Sequence, residues 1–355
     1  KRVILSMNIY GITYTQLEEY LLKIGEKPSK APFIYQALYK KQLDSMLAVP
    51  ELRRTLLEQL DQSFSMELPV LLEQTTGDDT IKFLFSLSDG SLIEAVLMRQ
   101  KYGNSLCISS QVGCNMACAF CQSGRFKKKR NLSAAELTGQ IIYIQKHLQL
   151  TISNIVLMGI GEPFDNYDNV MQFLEIVTHP HGLALGTRHI TVSTCGLVPQ
   201  IEQYASHPAH GLLAISLHAP DDETRSRIMP INRKYPVTQL MDAARSCIQK
   251  TGKKVMLEYV MLSEINDHPH QAQLLADLIG DDAFHVNLIP YNETQNLGFT
   301  QSSRERILAF YDVLKKNHIT VTMRREFGAS VKAACGQLRA DYENKTLLPK
   351  ECNSL

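Results

Sequence analysis

The 355-residue sequence predicts an α/β protein: a partial (β/α)6 barrel preceded by a small N-terminal domain of helices and a β-hairpin. Three observations carry this. From residue 133 onward, short apolar runs alternate with stretches of helical period about six times, as in parallel strands joined by right-handed helical crossovers. That is too few units for a full eightfold barrel. Residues 9 to about 60 show only helical spacing, and residues 64 to 98 only strand-like runs broken by turn signals. At 44% hydrophobic, the chain can bury one large core and a smaller one.

In the first segment, IYGITYTQLEEYLLKIGEK carries a Leu17, Tyr20, Leu21, Ile24 stripe, with Thr13 or Thr15 as N-cap and Gly25 as a stop. Further helices follow Pro32 and Pro50. Their Lys40, Lys41, Arg53 and Arg54 suit either RNA or water. MELPVLLEQT, TIKFLFSL and SLIEAVLMR then read as strands, with Ser88-Asp89-Gly90 as a hairpin connection. Glu94 interrupts the third of these apolar runs, where a lone acid ordinarily faces solvent.

Residues 105–130 hold the chemistry-bearing loop. Cys114, Cys118 and Cys121 stand at C-x3-C-x2-C spacing, with Cys107 seven residues upstream. Three thiolates can occupy three corners of a tetrahedral metal or iron-sulfur site, and Cys107 is a candidate for the fourth. The basic residues Arg125, Lys127, Lys128, Lys129 and Arg130 follow. Residues 101–130 hold six Lys and Arg and no Asp or Glu, against a net charge of +1 for the chain. Such a local excess can meet a phosphate backbone or remain a solvated loop.

Beyond it, SAAELTGQIIYIQKHL is a helix with Ser133 as N-cap and Glu136 at the capping-box position. NIVLMGIGEP, HITVSTCG, LLAISLHAP, KVMLEYVML, HVNLIPYN and ITVTMRR are strands, separated by helices. Polar residues recur at the strand ends: Gly161-Glu162-Pro163, Ser193-Thr194, Ser216-Leu217-His218 and residues 287–292. Ligands of parallel sheets bind at this end. No apolar run reaches the roughly 18 residues of a membrane span, and residues 1–11 lack the pattern of a secretion signal. A cytoplasmic protein is expected, and its eight cysteines suit metal, catalytic or buried thiols rather than disulfides.

SLCISSQVGCNMACAFCQSG, KKRNLSAAEL, LMGIGEP, VSTCG, SLHAP with RIMPIN, VNLIPYN and the terminal EFGASVKAACGQL together resemble the dual RNA methyltransferases of the RlmN and Cfr group. These belong to the radical S-adenosylmethionine (SAM) enzymes. The likeness spans nearly the whole chain, whereas C-x3-C-x2-C alone would name only the superfamily. It implies that Cys114, Cys118 and Cys121 bind a [4Fe-4S] cluster whose open iron is chelated by SAM. Gly161, Glu162 and Ser193 would contact the methionine end of SAM, and Ser216, Leu217, His218 and Asn292 the remainder. Cys335 matches the cysteine that carries a methyl group, Cys107 its resolving partner, and Glu94 the proton acceptor. Gln122-Ser123 and Cys195 depart from the commoner residues of the group.

The implied reaction uses two SAM molecules per turnover. Cys335 is first methylated by displacement. A 5′-deoxyadenosyl radical from a second SAM then removes hydrogen from that methyl, and the resulting carbon radical adds to an electron-poor adenine carbon. Glu94 takes the ring proton, and Cys107 attacks Cys335 to free the product. The implied target is C2 of an adenine in 23S rRNA, at the peptidyl transferase centre, with transfer RNA open as a second substrate. Gly161-Glu162-Pro163 resembles the RlmN side of the group. The alternatives are C8 methylation of the Cfr type, which confers ribosomal antibiotic resistance, and a zinc-containing RNA-binding protein without catalysis. The resemblance also implies an electron donor such as flavodoxin or ferredoxin, no membrane partner and a monomer. It divides the chain into an RNA-binding accessory domain (1–62), a β-hairpin connector carrying Glu94 (63–99), a radical SAM core (100–345) and a tail (346–355).

Overall fold

The computed structural model describes residues 7–293 and 297–324. Cys335 lies outside the described residues, as do positions 346–355.

The N-terminal layer comprises β1 (Met7–Asn8), α1 (Tyr14–Lys23), α2 (Ala31–Tyr39), α3 (Arg54–Ser63) and β2 (Phe64–Ser65), with β1 and β2 paired in parallel. Thr13 rather than Thr15 caps α1. Its hydroxyl accepts from the Gln16 N–H while the Gln16 side chain accepts from the Thr13 N–H.

Strands β3 (Val70–Thr76), β4 (Thr80–Ser86), β5 (Leu92–Gln100) and β6 (Gly103–Cys107) form an antiparallel meander. The short β7 (Gln111–Val112) and β8 (Arg130–Asn131) pair at the base of the cysteine loop. Then come α4 (Ala134–Leu148), β9 (Asn154–Leu157), α5 (Tyr167–Thr178), β10 (Ile190–Thr194), α6 (Val198–Tyr204) and β11 (Leu212–Ser216). The rest comprises α7 (Asp222–Ile228), α8 (Val237–Thr251), β12 (Val255–Met261), α9 (Pro269–Ile279), β13 (Phe284–Pro290), α10 (Arg304–Lys316) and β14 (Val321–Met323). Among the described residues no helix is long and apolar enough to cross a membrane.

The long strands build one sheet in the order β14-β13-β12-β11-β10-β9-β6-β5-β4-β3. From β6 to β14 every pairing is parallel, the strand pattern of a partial (β/α)6 barrel. β6 is the element that the sequence hides: Gly103 and Asn104 read as loop, yet the strand opens the parallel sheet. It also joins that sheet to the antiparallel hairpin, so hairpin and barrel share a single hydrogen-bonded surface.

Residues paired across strands project to the same side. The register pairs Val96 with Cys107, Cys107 with Val156, Val156 with Thr191, Ser193 with Ala214, Ser216 with Glu258, and Glu258 with Asn287. Alternation along β5 adds Glu94 to that face. The other face, with Ile93, Leu106, Ile155, Val192, Ile215 and Leu257, packs into the main hydrophobic core. One side of the sheet thus drives folding, and the side left free carries the polar residues.

Candidate active site

At the carboxyl ends of the parallel strands lies a cavity with an empty volume of ≈ 960 Å³, open mouth included. Such a volume suits a cofactor-sized ligand. Cys114, Cys118 and Cys121 line it together with Gly161, Glu162, Ser193, Ser216, His218 and Asn292. Leu217 does not line it. Its side chain belongs to the main core, while its backbone N–H donates to the Glu258 carbonyl and its own carbonyl accepts from Arg225.

The cysteine loop is shaped by close backbone contacts. Gly113 has φ +78°, and a Cβ there would stand 2.4 Å from the Lys127 carbonyl oxygen, so only glycine lets the two arms of the loop meet. The Cys114 N–H donates to Phe126 O at 2.9 Å and the Ala119 N–H to Ile228 O at 2.9 Å. Burial pushes the Cys114 thiol up to about 12 and raises the Cys118 thiol well above its ordinary value. A bound cationic centre is what would draw protons from such thiols. Three thiols lining one cavity suit an iron-sulfur cluster, in which each thiolate takes a different iron.

Gly161 has φ +108°, and a Cβ there would stand 2.6 Å from Cβ of Gln111. The Gln111 side-chain carbonyl accepts from the Glu162 N–H at 2.9 Å. The Glu162 carboxylate accepts from the backbone N–H groups of Phe164 at 3.0 Å and Cys195 at 2.8 Å, bracing the loop after β9 against the loop after β10. Burial raises this carboxyl, and its hydrogen bonds oppose the rise.

His218 adopts φ +57°. Its Nδ1 accepts from the Val260 N–H at 3.0 Å, which leaves the proton on Nε2. Burial, helped by the Arg225 charge, lowers its pKa to about 3, so the ring is a neutral donor. The Asn266 side chain donates to the His218 and Val260 carbonyls at 2.7 Å each and holds this corner.

Arg225 escapes a sequence reading, since DETRSRI looks like an ordinary charged helix. It is fully buried. Its guanidinium donates to the carbonyls of Cys195 at 2.7 Å, Leu217 at 3.0 Å and Ser216 at 3.1 Å, and to Asn232 Oδ1 at 2.9 Å. It therefore ties the loops after β10 and β11 together beneath the cavity. Glu258, a cavity-lining acid that accepts from Asn287 at 2.8 Å, offered one legible signal: an acid inside an apolar strand.

Glu94 gives the same signal and turns out to be 4% exposed, correcting the solvent-facing expectation. It lies on the cavity-bearing face of the sheet but not in the cavity wall, with its carboxylate 3.4 Å from the Lys82 ammonium. Cys107 shares that face in a small cluster with Val96, Met98 and Ile160 and does not join the three loop cysteines as a lining residue.

The basic run divides by role. Arg130 makes a two-pronged pair with Glu136 at 2.8 Å and reaches Asp89 at 2.7 Å, and Lys128 pairs with Asp165 at 2.6 Å. Arg125, Lys127 and Lys129 are exposed.

Comparison with known proteins agrees with this geometry. The family model for the radical SAM superfamily matches residues 108–276. A probable dual-specificity RNA methyltransferase RlmN of Enterococcus faecalis is 46% identical over 347 residues, covering 95% of this chain and 97% of the relative. The protein of the same description from Geobacillus kaustophilus is 48% identical over 337 residues, covering 94% and 92%. The crystal structure of a radical SAM methyltransferase from Sphaerobacter thermophilus matches with a TM-score of 0.89 at 38% identity, covering 94% of this chain and 100% of that one.

Proposed function

The chain belongs to the radical SAM superfamily and, within it, to the RlmN family of dual-specificity RNA methyltransferases, and from that premise we propose that it methylates the C2 carbon of an adenine in 23S rRNA. It is a SAM-dependent RNA methyltransferase that uses a [4Fe-4S] cluster, with SAM as both radical source and methyl donor. Transfer RNA is the second substrate class in this reading, in line with the dual specificity in its relatives' names. The reading also includes a monomer working in the cytoplasm with a flavodoxin- or ferredoxin-type reductant.

The observation that carries the proposal is the gathering of three loop cysteines and the polar strand ends around one cavity, with Glu94 and Cys107 on the same face of the sheet. Cys114, Cys118 and Cys121 would hold the cluster. Gly161, Glu162, Ser193, Ser216, His218 and Asn292 would hold SAM, with Leu217 contributing through its backbone. The bound cluster and SAM supply the one-electron chemistry that activates a methyl group.

The chain's own residues do the rest. Glu162 keeps the loops after β9 and β10 at a fixed separation, and His218 offers an Nε2–H donor that needs no reorientation. Cys335 carries the methyl group as a thioether, Glu94 accepts the ring proton, and the Cys107 thiolate attacks the Cys335 sulfur, forming a disulfide as the bond from that sulfur to the transferred carbon breaks and the methylated base leaves. The Gly-Glu-Pro turn at 161–163 favours C2 over C8. Mass mapping of nucleosides from ribosomal RNA incubated with enzyme, SAM and reductant tests the regiochemistry. The expected product is 2-methyladenosine, and 8-methyladenosine alone would overturn the proposal.

A further inference from the structure

Glu94 sits where a carboxylate is least comfortable. It is buried beside Val96 and Met98 on β5, where a carboxylate gives up its hydration. A protonated carboxyl cannot accept another. Accepting the ring proton means that a C–H bond breaks, an O–H bond forms on Glu94, and the electron pair returns to the adenine ring.

The register supplies a remedy. Leu84 pairs with Glu94 and Lys82 with Val96, so Lys82 projects from β4 to the same side, one step along. Its ammonium lies 3.4 Å from the Glu94 carboxylate, and the two side chains are 16% and 5% exposed. An opposite charge at this range favours the ionised acid, and weak screening by solvent preserves the effect.

Among the described residues, Lys82 from β4 and Cys107 from β6 share this face with Glu94, as does the exposed Glu73 of β3, which pairs with Leu84 and stands diagonal to Lys82. Between β6 and β7, the Ser109 hydroxyl donates to the Glu94 carbonyl at 2.6 Å and fixes the backbone. The adjoining β7 brings only Gln111 and Val112. Lys82 also gives the hairpin a task that bare extension of the sheet would not: it carries a cation to the site from a strand outside the parallel barrel.

We propose that Lys82 is a positioning residue that holds Glu94 ionised and oriented for proton abstraction. The proposal rests on the reading of Glu94 as the proton acceptor. It is tested with the full-length holoenzyme, SAM, reductant and a transcript of the ribosomal RNA, following the initial methylation rate from pH 5.5 to 9 for wild type, K82M, K82R and E94Q. Iron content and visible absorption of each variant establish that the cluster is equally loaded.

Loss of the cation raises the acid's titration point, so the acid limb of the K82M profile should move up by about 1–3 pH units, with the rate recovering at alkaline pH. K82R should keep the wild-type limb, and E94Q should be slow at every pH with no acid limb. A uniform loss in K82M with the limb unmoved would mark Lys82 as merely structural and overturn the proposal, as would an unchanged profile. Wild-type rates in E94Q would instead remove Glu94 from the mechanism, and Lys82 with it. Should K82M not fold, K82Q carries the same comparison.

Discussion

His218 illustrates what a single side chain contributes. Its Nδ1 is engaged by a backbone N–H and its ring is buried, so the folded chain binds a proton there only near pH 3, whereas an unfolded chain binds one near pH 6.5. Between those values the unfolded state holds more protons. The stability this group contributes is therefore complete above about pH 6.5 and lost as pH falls toward 3. His218→Gln should flatten the fall of Tm between pH 6.5 and 4 relative to the parent chain, measured by calorimetry on the cluster-free protein. An unaltered slope would show that the ring titrates normally in the folded state. Gly161, Glu162, Ser193 and Ser216 are legible singly from their places at strand ends. The tautomer of His218, the brace made by Glu162 and the buried Arg225 depend on partners 7 to 51 residues away.

At the scale of elements, α4 shows sequence and structure in agreement. Ser133 accepts from the Glu136 N–H, Glu136 accepts from the Ser133 N–H, and Gln149 ends the helix in a left-handed conformation. Glu136 also receives Arg130, which in turn grips Asp89 in the turn between β4 and β5. The cap is thus part of a strap from hairpin to barrel. Ser133→Ala should cost about 1 kcal/mol and lower Tm by about 2 °C, which thermal unfolding followed by circular dichroism would register. Elements without local signals behave otherwise. β6 starts on Gly103 and is defined by pairing with β5 on one side and β9 on the other, and α7 is seven residues long, too short to show a period.

Across the whole molecule, charge and face matter more than any one contact. Lys128 and Arg130 are engaged in ion pairs, and the exposed members of the basic run are Arg125, Lys127 and Lys129, which follow the cavity-lining Cys121 and Ser123 in sequence. If they meet RNA phosphates, K127Q/K129Q should weaken RNA binding and reduce the slope of log K against log salt by about 1.5, as read by filter binding over a salt series. A slope equal to that of wild type would place the RNA elsewhere. The sheet has an analogous division of labour. One face is closed by helices into the main core, and the other holds Lys82, Glu94, Cys107, Ser193, Ser216, Glu258 and Asn287, distributed over strands from β4 to β13.

The sequence by itself determined the alternation of strands and helices, the cap of α4, and the cysteine spacing. These are local patterns, set by hydrophobic period and by hydrogen bonds spanning three or four residues. Only the tertiary structure decided that Glu94 is buried beside Lys82, that Leu217 faces the core rather than the cavity, and that Arg225 underlies the site. The physical reason is register: a side chain's face, and hence its neighbours and its charge state, depends on pairing with strands far away in the chain.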